Sequence, residues 1–510
     1  MTFHSILFDR PEQRAGADQL GAPPFFRDLN LDQVVESITA TRPDYNLKPF
    51  FYTLPLGVET IHYRQDILRD LEAKDLWECV RSFARQMRSM REHLTQAGKL
   101  HYRYQKEAWF VDAVEIYGQA VTNLYLDLES VTVRSQGFLT FREYLKTHTQ
   151  SREFTSLLAE TAKLKQDLAG VKYILTVHDN HVTVSKYEAE SDYAAKVLGT
   201  FQKFQLGVVK DYRVQFRDWA EMNHVEAAVL DRIALLYPEV FGALNDYSAR
   251  HRDYLDQTIG DFDREVQFYV AYLEYVRLFK AGGLTFCYPH VSDSKDVHAS
   301  ETFDLALANK LVSEGSPVVC NEFYLQGPER IFVVTGPNQG GKTTFARTFG
   351  QLHYLASIGC QVPGREARLL LFDNLFTHFE REENLADLKG KLQDELIRIH
   401  HILSQATSNT VLIMNESFTS TTLSDALFLG KNVLERIMRL GLLCVSVTFV
   451  DELAALSEST VSMMSTVAFD DPTVRTYKVV RKPADGRAYA VAIAQKYGLT
   501  RQRLMEHIVR

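Results

Sequence analysis

Apolar residues recur at steps of three and four along much of the first half of the chain, which is the spacing of amphipathic helices. The pattern runs from about residue 28 to residue 280. It is clearest in three stretches, 75–94, 102–128 and 254–279. The last stretch ends at Gly282 and Gly283, which favour a helix C-terminus. We therefore predict a mainly α-helical domain over 28–280, preceded by an irregular, proline- and glycine-rich lead-in over 1–27.

One segment inside this helical region alternates apolar and polar residues instead. Apolar side chains fall at every second position from Val171 to Val177, and a second run, 182–184, follows a turn at Asp179-Asn180. This pattern predicts a small β-hairpin at about 171–187, at the far end of a pair of long helices. A surface hairpin without a function and a hairpin with one fit the sequence equally well.

From about residue 300 the pattern changes to short β-branched runs that alternate with helices. These runs fall at 331–334, 369–372, 411–414 and 443–447. Such alternation is typical of an α/β domain with a largely parallel sheet. Two later runs, 461–469 and 474–480, flank Asp470-Asp471-Pro472 and predict an antiparallel hairpin on that sheet. We therefore predict an α/β domain over 300–510.

The composition is that of a folded protein and excludes a disordered chain. Of the 510 residues, 45% are hydrophobic, and 57 Lys and Arg stand against 65 Asp and Glu, which gives a net charge of −8. This balance excludes a polybasic coating protein but allows a local basic face that binds nucleic acid. The 5 cysteines are widely spaced, so we expect neither a disulfide framework nor a zinc knuckle. No signal-peptide pattern and no apolar stretch of membrane-spanning length stand out, so we expect a cytoplasmic protein without membrane contact.

A phosphate-binding loop of the P-loop (Walker A) kind, G-x-x-x-x-G-K-[ST], spans residues 336–343. An apolar strand precedes it, and a helical stretch from Lys342 to about residue 357 follows it. Glycines let backbone N–H groups close around phosphates, and the helix N-terminus adds its positive dipole end. Lys342 is expected to reach the β- and γ-phosphates, and the Thr343 hydroxyl to hold Mg²⁺. The predicted nucleotide contacts are Gly336, Pro337, Asn338, Gln339, Gly340, Gly341, Lys342, Thr343 and Thr344.

A second strand, predicted at 410–414, ends in the acidic partner that such a loop needs. It leads into Asn415 and Glu416, where an Asp-Glu pair is usual. Glu416 is expected to polarise the attacking water, while Lys342 offsets charge on the transferring phosphoryl group. The Asn415 amide oxygen can accept a hydrogen bond from a Mg²⁺-bound water, but it brings no charge to the metal site that it forms with Thr343. We therefore expect ATP and Mg²⁺ as cofactors, weak metal retention and slow hydrolysis.

The loop sequence T-G-P-N-Q-G-G-K-T-T, which ends at Thr344, is similar to the T-G-P-N-M-G-G-K-S-T of the MutS family of DNA mismatch repair ATPases. The segment that ends at Asn321 resembles the family segment beside the adenine. The resemblance is strong over roughly 300–500 and only topological over 28–280, where helices with a β-hairpin look like the family's lever and clamp. Further segments resemble family motifs in the same order, namely 359–363, 376–377, 390–395, 415–416 and 489–494.

The resemblance implies an ABC-type P-loop ATPase domain whose nucleotide sites are shared across a homodimer. A loop after the second motif would then reach the γ-phosphate bound by the other subunit. In this chain the loop contains Ser420, Thr421 and Thr422, and hydroxyls at a helix N-terminus suit a phosphate. The alternative is a Ser/Thr-rich helix cap with no further role.

Three departures from the family pattern change what the resemblance implies. Phe449 stands in the place of the family's switch histidine, so ATP sensing must differ, and Asn415 is the second departure. The family's mismatch-reading Phe-x-Glu is matched only by Phe141-Arg142-Glu143, which falls in a helical stretch. We therefore expect a short form that lacks the mismatch-reading domain and whose dimer rests on contacts other than the family's C-terminal helical tail.

A row of arginines is the candidate DNA contact. Arg81, Arg85 and Arg88 fall on one face of a predicted helix and could contact phosphates without reading sequence. A solvated helix face is the alternative. The resemblance implies a nucleotide-switched clamp on mismatched, branched or otherwise unusual DNA. The alternative function is a slow ATP-dependent scaffold whose helical arm binds a protein partner, and salt-dependent DNA binding would separate the two.

Overall fold

The structure is a computed structural model that describes residues 3–14, 16, 20–53, 57–179, 181–188, 222–380, 390–471 and 473–484. The chain divides into two units. The first contains the described residues of Met1–Phe3, Ala73–Val133 and Leu139–Asp263. The second contains the described residues of His4–Glu72, Arg134–Phe138 and Arg264–Arg510. The motif at 489–494, Asn180 and Pro472 lie outside the described residues.

Helices dominate the described residues up to about 281, and strands alternate with helices after that. The α-helices are α1 (Phe25–Asp28), α2 (Leu31–Thr39), α3 (Lys48–Phe51), α4 (Val58–Leu71), α5 (Lys74–Lys99), α6 (Arg103–Ser130), α7 (Gln136–Thr149), α8 (Arg152–Ala169), α9 (His224–Leu236), α10 (Pro238–Arg250), α11 (Gln257–Ala281), α12 (Leu305–Ser313), α13 (Lys342–Ser357), α14 (Lys391–Gln405) and α15 (Leu423–Leu440). The strands are β1 (Tyr173–His178), β2 (His181–Lys186), β3 (Phe286–Cys287), β4 (His290–Ser292), β5 (Val297–Thr302), β6 (Asn321–Leu325), β7 (Ile331–Thr335), β8 (Val362–Pro363), β9 (Glu366–Leu370), β10 (Leu375–Phe379), β11 (Val411–Asn415), β12 (Leu443–Val447), β13 (Thr460–Val467) and β14 (Arg475–Arg481). Short 3-10 helices lie at Pro11–Arg14, Pro43–Tyr45 and Asp451–Ala455.

Two long helices, α5 and α6, pack along each other in the first unit. The buried face of α5 repeats at three- and four-residue steps, at Leu76, Val80, Phe83, Met87 and Met90. A three-residue link, 100–102, joins the two helices, and so short a link makes them antiparallel neighbours. The helices predicted at 75–94, 102–128 and 254–279 are confirmed as α5, α6 and α11, with ends that differ from the prediction by one to five residues.

The hairpin of β1 and β2 also belongs to the first unit. The strands pair antiparallel from Tyr173 opposite Lys186 to His178 opposite His181. The pair starts four residues after α8 ends at Ala169 and packs against α9. Its apolar side chains are largely exposed, Val177 most of all.

A six-stranded sheet forms the centre of the second unit, in the order β10-β11-β12-β7-β13-β14. Its pairs are parallel except for the edge pair of β13 and β14. Helix α13 covers one face, where Phe345 and Phe349 pack edge-on against Phe332 of β7. Helices α14 and α15 cover the other face, where they share a core with β11 through Leu412 and Met414. Because both faces are covered, β7, β11 and β12 are buried along their whole length.

A second sheet, in the order β4-β9-β5-β6, corrects one prediction. The run at 369–372 was expected in the parallel sheet, but it contributes to β9, which pairs parallel with β4 and antiparallel with β5. The reason is visible in the strand itself, because the exposed Glu366 and Arg368 alternate with the buried Ala367 and Leu369. That alternation suits a half-covered sheet, whereas the central strands are apolar throughout. The strand beside β11 is instead β10.

The edge hairpin predicted at 461–469 and 474–480 is confirmed as β13 and β14. The predicted strands at 331–334, 411–414 and 443–447 are likewise confirmed as β7, β11 and β12. Within the part of the chain that the structure describes, every helix is too short or too polar to cross a bilayer.

Candidate nucleotide-binding site

The glycine-rich loop lies at the carboxyl edge of the parallel sheet. It connects the end of β7 at Thr335 to the start of α13 at Lys342, so its backbone leads directly into a helix N-terminus. Gly336 and Gly341 have φ angles of 110° and 94°, which a residue with a Cβ rarely adopts. Thr344 lies in the first turn of α13. A glycine-rich loop that leads into a helix N-terminus provides backbone N–H groups and the positive end of the helix dipole, which are the features that anion binding requires.

Close packing against β13 explains why the loop needs glycines. A Cβ placed on Gly340 would lie 2.6 Å from the Ser465 hydroxyl oxygen and 2.9 Å from the Pro337 carbonyl oxygen. A Cβ on Gly336 would lie 2.7 Å from the same hydroxyl. Ser465 is fully buried, and its hydroxyl has no hydrogen-bond partner among the described residues. The loop therefore rests on β13 with no room for side chains on that side.

The Lys342 ammonium is held inside the loop by oxygens of the loop itself. Its Nζ donates to the Gly336 carbonyl at 2.9 Å, to the Asn338 side-chain oxygen at 3.2 Å and to the Pro337 carbonyl at 3.3 Å. Only 5% of the residue is exposed. Burial lowers the pKa of Lys342, and the nearby Glu416 carboxylate opposes that shift. A buried ammonium that is ringed by neutral oxygens is well suited to an anionic ligand.

Two oxygen atoms that could bind a metal ion lie in contact where α13 meets β11. The Thr343 hydroxyl donates to the side-chain oxygen of Asn415 at 2.8 Å. Asn415 is the last residue of β11 and is buried. Hydroxyl and amide oxygens are ligands that Mg²⁺ accepts, so this donor set fits the metal in type. It provides no negative charge, which a carboxylate would add.

Glu416 leaves the sheet edge in a turn with an uncommon backbone conformation. Its φ is 54°, and that of Phe418 is 63°. The Glu416 N–H donates to the Val447 carbonyl at 2.9 Å, which ties the turn to the end of β12. A left-handed conformation in a residue with a side chain is unfavourable and is held here by the surrounding packing. The turn holds a half-buried carboxylate close enough to Lys342 to affect its pKa.

The remaining residues that the sequence associates with the nucleotide are not all gathered at the loop. Asn321, on β6, uses its side chain to hold β14, because its oxygen accepts from the Val479 N–H at 2.8 Å and its Nδ2 donates to the Tyr477 carbonyl at 3.3 Å. Phe449 follows the end of β12 and is 47% exposed. At this position the family resemblance led us to expect a histidine, and a phenyl ring cannot form the hydrogen bond that a histidine would.

The Ser/Thr-rich loop caps α15. The Thr422 hydroxyl accepts from the Asp425 N–H at 3.2 Å, and the Thr421 hydroxyl donates to the Asp425 carboxylate at 3.3 Å. Ser420 is exposed. Thr422 is therefore the N-cap of α15, while the reach of the three hydroxyls to a second subunit stays a prediction.

The three arginines of the candidate DNA contact lie in the first unit. Arg81, Arg85 and Arg88 are exposed on the face of α5 that is opposite its buried side. Arg81 lies 3.7 Å from Glu78 on the same helix. The predicted common face is therefore confirmed, whereas its contact with DNA stays a prediction.

Sequence reasoning missed a basic residue at the loop. Arg475, the first residue of β14, donates from Nε to the Asn338 carbonyl at 3.2 Å. The two residues are 137 positions apart, and no motif surrounds the arginine. A basic residue at the start of an edge strand gives no signal by itself, so only the fold reveals this contact.

Comparison with known proteins identifies the same region. A family model of MutS domain V matches residues 332–507. The DNA mismatch repair protein MutS of Shouchella clausii is 29% identical over 219 residues, which is 42% of this chain and 25% of that protein. That of Zymomonas mobilis is 30% identical over 216 residues, 41% of this chain and 25% of that protein. That of Brevibacillus brevis is 24% identical over 386 residues, 72% of this chain and 43% of that protein.

The chain thus spans between a quarter and less than half of the length of these relatives. The matched domain contains the loop, Asn415, Glu416 and Arg475, and begins one residue into β7. Over residues 332–507 the chain is thus similar to domain V of MutS, and the relatives that it matches are DNA mismatch repair proteins of that name.

Proposed function

We propose that this chain binds ATP in the loop at 336–344 and hydrolyses it slowly, as an ABC-type P-loop ATPase. The observation that carries the proposal is the contact between Thr343 and Asn415, which joins the loop to the strand end that presents Glu416. Backbone N–H groups at the start of α13 bind the phosphates, and Lys342 reaches the β- and γ-phosphates. Glu416 orients the attacking water, and Lys342 offsets charge on the transferring phosphoryl group.

Mg²⁺ is the expected metal, and Thr343 and Asn415 are the residues that would hold it. When bound, the metal supplies charge neutralisation to the phosphate chain. The neutral Asn415 amide makes the site a weak one, because Mg²⁺ is usually bound through one or two carboxylates. Slow hydrolysis follows from the same substitution.

We further propose that the protein is a nucleotide-switched clamp on mismatched, branched or otherwise unusual DNA. The relatives are named as DNA mismatch repair proteins, and the exposed arginine face of α5 supports a contact with phosphates. In this proposal residues 28–280 form the lever and clamp, and residues 300–510 form the ATPase domain. Two copies share their nucleotide sites, and Ser420, Thr421 and Thr422 contact the γ-phosphate bound by the partner.

Nucleotide binding by the Lys342→Ala variant tests the core of the proposal. A fluorescent ATP analogue with Mg²⁺ is titrated against the full chain, the variant and a control, Lys431→Ala, which removes an exposed lysine from α15. Loss of a buried cation that binds phosphate should weaken affinity by at least about tenfold, whereas the control should bind like the unaltered protein. Retained affinity in Lys342→Ala would refute the assignment of the loop.

A further inference from the structure

A second basic side chain reaches the phosphate loop from outside the motif. Arg475 lies half-buried at the start of β14, and its Nε donates to the Asn338 carbonyl at 3.2 Å. Lys342 contacts the same residue, because its Nζ donates to the Asn338 side-chain oxygen at 3.2 Å. Two cationic groups therefore meet at Asn338, the residue midway along the loop.

The position of Arg475 relative to the loop is fixed by its own strand. Asn321 holds the Tyr477 carbonyl and the Val479 N–H, so β14 is tied to β6 on one side. On the other side Arg475 pairs with Val467 of β13. The Tyr477 carbonyl oxygen would lie only 3.3 Å from a Cβ placed on Gly341. Strand β14 thus contacts the loop at two places, Asn338 and Gly341, and the Arg475 guanidinium belongs to the surface that packs against the loop.

The two positive charges indicate which kind of ligand this side of the loop would bind. The Lys342 ammonium contacts the side-chain oxygen of Asn338, and the Arg475 guanidinium contacts the carbonyl oxygen of the same residue. Two cations beside one loop repel each other, and an anionic ligand bound between them would be attracted to both. A guanidinium has planar N–H donors that match phosphate oxygens, and it is charged at every accessible pH.

We propose that Arg475 is a phosphate-binding residue of this site and contacts the terminal phosphate of a nucleoside triphosphate. The inference rests on the proposed nucleotide site and adds to it the discrimination of ATP from ADP. The terminal phosphate is indicated because Arg475 meets the loop at the residue that the Lys342 ammonium also contacts. That ammonium is the group that serves the outer phosphates in loops of this kind.

A merely structural role makes a different prediction. If Arg475 only braced the Asn338 carbonyl, its loss would disturb the loop for every nucleotide and would weaken ATP and ADP binding alike. If it binds the terminal phosphate, ADP lacks the group that it contacts. The ratio of the two affinities, and not either affinity alone, therefore separates the two roles.

The experiment measures the affinities of ADP and of a non-hydrolysable ATP analogue, with Mg²⁺, for the full chain and three variants. Arg475→Gln keeps an N–H donor for the Asn338 carbonyl but removes the charge, and Arg475→Lys keeps the charge. Arg481→Gln is the control, since Arg481 lies on the same strand but pairs with Glu329 and stacks on Tyr324 at 4.4 Å.

Arg475→Gln should weaken binding of the ATP analogue by about tenfold, as expected for a lost charged hydrogen bond, and that of ADP by less than about twofold. Arg475→Lys should recover part of the loss, and the control should match the unaltered protein. Equal losses for both nucleotides, or no loss for either, would overturn the inference and leave the nucleotide site itself standing. An unaltered protein that binds neither nucleotide would instead remove the proposed function and this inference with it.

Discussion

The Thr343 hydroxyl donates a hydrogen bond to the Asn415 amide oxygen over 2.8 Å, and this contact joins the first turn of α13 to the last residue of β11. In the proposed site the same two oxygens face the metal. The amide therefore satisfies the hydroxyl but adds no charge for Mg²⁺. The contact accounts for how an asparagine is accommodated here, and in the proposed site Asn415 is the residue that we expect to limit metal affinity.

Asn415→Asp should strengthen metal binding and accelerate hydrolysis. The carboxylate keeps an acceptor for the Thr343 hydroxyl and adds a charged oxygen ligand of the kind Mg²⁺ prefers. We expect the rate of phosphate release to rise by roughly tenfold or more. The Mg²⁺ concentration that gives half of the maximal rate should fall. Asn409→Asp adds the same charge beyond the other end of β11 and should change neither quantity. Identical Mg²⁺ dependence in Asn415→Asp and the unaltered protein would contradict the proposed metal site.

Glu416→Gln should bind ATP but fail to turn it over. The amide keeps the size of the side chain and the backbone contact to Val447, but it cannot polarise a water as a carboxylate does. We expect hydrolysis to fall by about a hundredfold or more and an ATP-bound dimer to accumulate, as measured by phosphate release and size-exclusion chromatography. Glu458→Gln, an exposed change on the same unit, is the control. Unchanged turnover would exclude Glu416 as the water-orienting residue.

The parts of the site that lie within one local pattern could be predicted from the sequence. The glycine loop, its strand and the helix from Lys342 to Ser357 follow from a motif whose residues are adjacent in the chain. The hairpin of β1 and β2 likewise follows from alternation over a dozen residues. In each case the residues that determine the structure are close neighbours, so no knowledge of tertiary packing is needed.

Features that depend on packing between distant segments could not be predicted. Arg475 meets Asn338 only because β14 turns back along the sheet edge, 137 residues further on. The run at 369–372 reads as a strand in any sheet, and its partner β5 is chosen by tertiary contacts. The close approach of Ser465 to the loop glycines is of the same kind. Periodicity indicates which elements form, but not which of them become neighbours.

Gly340→Ala should disable the nucleotide site without unfolding the protein. The added methyl group would overlap the Ser465 hydroxyl at 2.6 Å and the Pro337 carbonyl at 2.9 Å, so the loop must move. We expect nucleotide affinity to fall by about fivefold or more, since overpacking at a close contact typically costs about 1–3 kcal/mol. Gly98→Ala is the matched control, because nothing lies within 4 Å of its added Cβ near the end of α5. Normal nucleotide affinity in Gly340→Ala would show that the loop does not rest on β13 as described.

Acid should destabilise the second unit through His353. Burial lowers the pKa of His353 to about 4, although its hydrogen bond to the Phe349 carbonyl raises it slightly. The unfolded chain has the ordinary histidine pKa near 6.5. Between these values the unfolded state binds a proton that the folded state does not, so stability rises with pH from about 4 to about 6.5. The contribution of His353 to the free energy of unfolding changes by about 3 kcal/mol over that pH range.

Chemical denaturation at a series of pH values measures this effect. His353→Gln should flatten the pH dependence of the unfolding free energy between about pH 4 and 6.5. His400→Gln, which replaces an exposed histidine on α14, should leave the slope unchanged. Equal slopes in His353→Gln and the unaltered protein would show that another group governs the acid transition.

Removal of the arginine face of α5 should weaken DNA binding in a salt-dependent way. Arg81, Arg85 and Arg88 are exposed, and each phosphate contact releases counterions on binding. If all three bind phosphates, the triple Gln variant should lower the slope of log affinity against log salt by about 2.7, at about 0.9 for each contact. The measurement is fluorescence anisotropy with linear, mismatched and junction DNA, with and without ATP.

A control with the same loss of charge separates a contact from a general electrostatic effect. Replacing three exposed cations elsewhere on the first unit with Gln, at Arg152, Lys163 and Arg232, removes as much charge. It should leave the salt slope within about 0.5 of that of the unaltered protein if the binding face is specific. If the salt slope falls equally in the two triple variants, the effect depends on net charge alone. The α5 face would then be an ordinary solvated surface. DNA binding that ignores salt in all three proteins would argue against a phosphate clamp altogether and favour a helical arm that binds protein.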